Sequence, residues 1–128
     1  MNNFNPYQAY QQQAVAGADR GELTLMLFNG AVRFIRQGGE HIAAGNIAGA
    51  HRAIVRGQEI IAHLRSTLNM DYELAHNLDA LYEFIHRLLV EANVKKDGAL
   101  LGQALELVEQ LRDAWAQAVK TVRTTAAL

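Results

Sequence analysis

From position 19 onward, apolar residues recur every three or four positions, which is the signature of amphipathic helices. The first such segment, about 20 to 44, places Leu23, Leu27, Gly30, Phe34 and Ile35 on one inner stripe. Asp19 is its expected N-cap, with Glu22 three residues later at the capping-box spacing. Gly30 reads as a close contact between helices. Gly38-Gly39 weaken the last turns, because each Gly costs roughly 1 kcal/mol relative to Ala. Asn46 caps a second segment carrying Ile47, Ala50, Ile54, Ile61, Leu64 and Leu68. The period breaks at Asn69-Met70-Asp71, which is expected to supply the next cap.

The third segment carries Leu74, Leu78, Leu81, Ile85, Leu88 and Ala92, with Tyr82 and Leu89 widening its stripe. Lys95 and Lys96 close it favourably against the helix dipole. After a turn at Asp97-Gly98, the fourth stripe holds Leu101, Ala104, Leu105, Val108, Leu111, Trp115 and Val119. Trp115 is expected to fill one end of the core, with its indole N–H on a partner. Four helices of roughly 25 residues each span ~35 Å. Joints of a few residues force sequential helices to run antiparallel. The expected fold is all-α: an antiparallel up-and-down four-helix bundle over 19–128, preceded by a flexible N-terminal arm over 1–18.

The arm is rich in Asn and Gln and contains Pro6, so it builds no core of its own. Phe4, Tyr7, Tyr10 and Val15 are spaced through it. Either these aromatics are incidental to a disordered tail, or the arm docks them into an apolar groove. Directly behind it, Leu23, Leu25, Met26, Leu27 and Phe28 cannot all face one core. An outward apolar helix face on a small protein waits for a partner.

Composition narrows the classes. A length of 128 residues is one domain, and a formal charge of −1 argues against nucleic acid as partner. The chain has no Cys, which removes disulfides and thiolate metal sites. The N-terminus lacks the basic and apolar regions of a signal peptide, and no apolar run reaches the ~20 residues of a membrane span. A cytoplasmic protein without membrane insertion is expected.

Three catalytic readings are tested and set aside. Glu73-x-x-His76 and Glu83-x-x-His86 have the spacing of di-iron bundle ligands, but both fall on the third helix. They lie ~15 Å apart along its axis, too far to share a metal pair. None of the histidines has a Lys within a turn, as a phosphotransfer site wants. The stretch from Gly17 to Gly21 is too short for a P-loop and lacks its Lys. No enzyme activity, cofactor or metal is expected.

The chain resembles the flagellar secretion chaperone family FliS over almost its whole length. The resemblance is carried by Tyr10-Gln11-Gln12, Gly21-Glu22-Leu23-Thr24-Leu25-Met26-Leu27-Phe28-Asn29-Gly30, Phe34-Ile35 and Thr67-Leu68-Asn69. It continues in Arg87-Leu88-Leu89-Val90-Glu91-Ala92-Asn93 and Arg112-Asp113-Ala114-Trp115. Many relatives carry Ser-Pro where this chain has Asp19-Arg20, and Tyr where it has Phe28. The resemblance implies a non-enzymatic cytoplasmic bundle that binds the disordered C-terminal segment of flagellin. It also implies prevention of premature polymerisation, delivery to an export-gate component, and an N-terminal arm that covers part of the client groove in the free chaperone.

Candidate groove residues are apolar positions off the inner stripes: Leu25, Phe28, Ile60 and Tyr82, joined by Tyr7 and Tyr10 of the arm. The alternative for Leu25, Phe28, Ile60 and Tyr82 is packing at a helix–helix seam. An ion pair such as Arg87 with Asp113 would fix bundle register; the alternative for these residues is client recognition. Two competing classes are an enzyme with a metal site in the bundle and a helical adaptor or dimerisation module with an unknown partner. An uncovered groove also allows a homodimer when the protein is free.

Overall fold

The computed structural model describes residues 20–127, with side chains through 122, as four helices. These are α1 (Arg20–Ala43), α2 (Ile47–Ser66), α3 (Glu73–Lys95) and α4 (Gly98–Ala127). Tyr7, Tyr10 and the Asp19 cap lie outside the described residues. Helices α1 and α3 each pack against both α2 and α4, so the order around the bundle is the order along the chain. Contacts run in opposite numerical directions across the α1–α2 and α1–α4 seams. Gly38 meets Ile54 while Gly57 meets Ile35; Trp115 meets Gly21 while Arg36 meets Glu109. The bundle is therefore antiparallel and up-and-down, as the sequence predicts.

Two of the joints are built alike. After α1, Gly45 takes φ +75°, and the Asn46 N–H reaches back to the His41 carbonyl at 2.8 Å. That bond closes α1 in a Schellman turn. The Asn46 side chain then accepts from the Gly49 N–H at 2.9 Å and opens α2, the cap the sequence predicts. After α3, Lys96 takes the left-handed conformation instead, and the Asp97 N–H reaches the Ala92 carbonyl at 3.0 Å. Asp97 Oδ1 accepts from the Ala99 and Leu100 N–H groups and opens α4. In both, one residue ends the first helix's bonding and starts the next, leaving no slack in register.

The middle joint departs from expectation. Asn69 Oδ1 accepts from the Asp71 N–H at 3.0 Å, closing a local turn. Tyr72 occupies the N-cap position of α3 without a side-chain bond, so 69–71 does not cap the helix. Ile47 and Leu74, expected on inner stripes, are 55% and 66% exposed. Both stand in the first turn of their helix, where side chains lean back toward the joint and solvent.

The α1–α2 seam is tight enough to need glycine. A Cβ at Gly38 would meet Ile54 Cγ1 at 2.8 Å, and one at Gly57 would meet Ile35 Cγ1 at 3.1 Å. Each helix thus offers a Gly notch to the other's Ile. The sequence reading treats Gly38 only as a weak turn; the packing makes it a necessity. Gly38→Ala is expected to lower stability by about 1 kcal/mol, since overpacking outweighs the better helix propensity. Gly39→Ala, whose Cβ meets only Leu101 at 3.9 Å, is expected to raise stability by about 0.5–1 kcal/mol. Urea unfolding of both variants decides: stabilisation by Gly38→Ala contradicts the notch.

Candidate functional site: a groove along α1 and α4

Of the four bundle residues expected to look outward, three look inward. Phe28 and Ile60 are 1% exposed and Tyr82 is 4% exposed, all within the core cluster. The correction has a simple cause. Each bundle helix has two neighbours, so it buries a wide arc rather than one a/d seam. On α1 the buried positions from Gly30 to Val32 sweep roughly 200° of the circumference at 100° per residue. Phe28 lies inside that arc, its ring 6.5 Å from Tyr82 and 6.2 Å from Trp115. Trp115 donates its indole N–H to the Gly21 carbonyl at 2.9 Å, the partner its burial demands.

Burial pushes the Tyr82 phenol up to about 12 from its usual 10. The folded state resists losing that proton, so the unfolded chain ionises first as pH rises. The contribution is intact below pH 10 and is lost on the way to pH 12, by on the order of 2 kcal/mol. Tyr82→Phe is expected to remove this alkaline loss. Urea melts of both chains at ~pH 9 and ~pH 11 measure it; equal losses contradict the burial effect.

Leu25 is the fourth candidate, and it is partly exposed. It lines a depression of about 710 Å³ with Glu22, Met26, Asn29, Ala116, Val119 and Lys120. Val119 also belongs to a smaller apolar hollow with Gly21, Trp115, Ala118 and Val122. Asn29 leads into a polar stretch edged by Arg33, Arg36, Gln37, Glu40 and Arg112. Arg36 and Glu40 in turn border an apolar hollow of about 280 Å³ floored by Ile35, Leu101 and Leu105. Gly39, Gly98 and Gly102 line that hollow, and the absence of side chains there is what opens it.

Neighbouring depressions share lining residues and follow one another along the α1–α4 seam as a trough, with apolar floors at both ends, Glu22 and Lys120 at the rim of the first, and charged side chains in the middle. From Gly21 to Glu40 it runs ~29 Å at 1.5 Å per residue.

The middle is held by ion pairs. Arg36 Nη2 lies 2.8 Å from Glu109 Oε2, and Arg112 Nη2 lies 4.0 Å from the same oxygen. Arg112 Nε donates to Asp113 Oδ1 at 2.9 Å. Asp113 therefore serves its own neighbour on α4, while Arg87 pairs with Glu83 one turn back on α3. The expected Arg87–Asp113 register pair does not form. Arg36–Glu109 and Arg65–Asp79 each join two helices.

Sequence reasoning missed Gly39, Gly98 and Gly102 as groove residues. A signal existed in the Gly98-x-x-x-Gly102 spacing, which bares one side of the first turns of α4. Met26 and Ala116 were also missed; nothing local distinguishes them from core positions. The two Glu-x-x-His pairs sit on α3 as read, with His76 Nε2 2.9 Å from the Met70 carbonyl. Among the described residues, no helix is long and apolar enough to cross a membrane.

Comparison with known proteins agrees with the architecture. The family described as "Flagellar protein FliS" matches residues 2–122. The chain is 41% identical to the "Flagellar secretion chaperone FliS" of Bacillus subtilis strain 168, over 93% of this chain and 90% of the relative. It is 32% identical to the protein of that name from Vibrio cholerae, over 86% and 85% of the two chains. The Escherichia coli K12 counterpart is 29% identical over 88% of each. A match over nearly the full length, on a four-helix bundle with an open trough, places this chain in the FliS family of flagellar proteins.

Proposed function

We propose that this protein is a cytoplasmic flagellar export chaperone that holds the disordered C-terminal segment of flagellin in the α1–α4 trough. Masking that segment prevents premature polymerisation, and the complex is handed to an export-gate component of the flagellar secretion system. Family membership supports the chaperone role. The observation that carries the mode of binding is the ~29 Å trough itself, long enough for about five helical turns. A helix laid in such a groove is read through anchors at i, i+3/i+4 and i+7. Leu25, Met26 and Val119 would meet anchors at one end, and the partly buried Leu105, beside Gly39, Gly98 and Gly102, would meet them at the other. Ordering a disordered client costs about 2–5 kcal/mol, which an extended apolar contact can offset.

Tyr7 and Tyr10 fit the same reading as residues that enter the groove when it is empty, modestly reducing client affinity. Removing residues 1–12 tests this; unchanged affinity together with unchanged solubility sinks it. The main test is calorimetric titration with the C-terminal segment of the cognate flagellin, followed by circular dichroism of the mixture. One-to-one binding with helicity beyond the sum of the parts is expected. No binding by an intact bundle overturns the reading and leaves a helical adaptor or dimerisation module with another partner.

A further inference from the structure

The trough is apolar at its ends, but its middle carries chemistry that a purely apolar client leaves unused. Arg33, Arg36 and Arg112 edge this stretch together with a single carboxylate, that of Glu40. Glu109, itself 30% exposed, lies between Arg36 and Arg112, and the exposed Asp113 holds the Arg112 Nε. Those two carboxylates fix how the forks lie and do not exhaust them. A guanidinium has five N–H donors, and the Arg36–Glu109 bond uses one of the Arg36 set. Arg112 is only 25% exposed, so its field in the trough is less screened than that of a fully solvated side chain.

We infer that the trough selects an amphipathic segment with two apolar anchor groups and a carboxylate between them, received by Arg36 and Arg112. The inference rests on the chaperone reading and adds the chemistry of the occupant. Spacing follows from the helix. Leu25 and Gly39, at the centres of the two apolar ends, stand 14 residues apart on α1, ~21 Å. A helical client running alongside needs its anchor groups about four turns apart, with the acid near the midpoint. Fixed, partly buried guanidiniums favour a carboxylate because the bidentate fork matches its geometry. Apolar anchors supply affinity; the central pair sets register and sign.

The test uses the full chain and the C-terminal segment of the cognate flagellin, with a second segment whose Asp and Glu residues are replaced by Asn and Gln. Arg36→Gln and Arg112→Gln are titrated with both, at ~0.05 M and ~0.5 M salt, after thermal melts confirm folding. Each variant is expected to weaken binding of the native segment about tenfold at low salt, with the gap narrowing at high salt. The amidated segment is expected to bind all three chains alike. Wild-type binding with no loss in either variant overturns the inference and leaves the chaperone reading standing. Equal losses for native and amidated segments also overturn it, since the arginines then act on the fold and not on a client acid. Failure of the native segment to bind wild type overturns the chaperone reading itself.

Discussion

Gly102→Trp is expected to abolish most client binding while leaving the bundle at least as stable as before. Gly102 sits in the second turn of α4, is exposed, and a Cβ there meets nothing within 4 Å. Replacing Gly inside a helix gains propensity, about 0.5 kcal/mol for Trp. The indole would then lie across the hollow of about 280 Å³ between α1 and α4 and fill one anchor site. Losing one of the two anchor sites costs roughly 2 kcal/mol or more, a fall in affinity of about thirtyfold. Gly102→Ala is the control: it adds a single methyl and should bind nearly as wild type. Calorimetry with the flagellin segment separates the two variants. A Trp variant that binds normally shows that the client does not use this end of the trough.

The second large effect is on stability. Phe28→Ala is expected to cost about 3–5 kcal/mol, because it empties a fully buried aromatic site. Its neighbours Tyr82 and Trp115 belong to other helices, so the cavity opens where three elements meet. A domain of this size has only 5–15 kcal/mol in total, so the variant stands near unfolding at moderate temperature. Thermal melts measure it. A Phe28→Ala chain that melts like wild type but no longer binds client would mean that Phe28 faces outward after all. Phe28→Leu, which refills most of the space, should recover more than half of the loss.

How much of this was legible in the sequence depends on the range of the interaction. The four helices, the Asn46 cap, the need of Trp115 for a partner and the antiparallel order are local in origin, legible in periodicity, side-chain chemistry and joint length. The width of each buried arc is not local. Phe28, Ile60 and Tyr82 fall off a narrow stripe on paper, yet they are core because helices arrive from both flanks. Register pairs fail for a similar reason: Arg87 and Asp113 have complementary charge, but each finds a partner on its own helix first. The trough was the least visible feature. It joins the first and last helices, whose adjacency no local pattern records, and its most telling residues are glycines marked by what they lack. The arm residues Tyr7 and Tyr10 lie outside the described residues, so their part rests on the resemblance and on the titration above.

The most direct test is an amide NMR map of the 128-residue chain with and without the flagellin segment. If the client lies in the α1–α4 trough, the largest shifts fall on Gly21, Leu25, Gly39, Gly98, Gly102 and Ala116, with the outer faces of α2 and α3 nearly still. Shifts concentrated on α2 and α3, with those six amides unmoved, would contradict the groove.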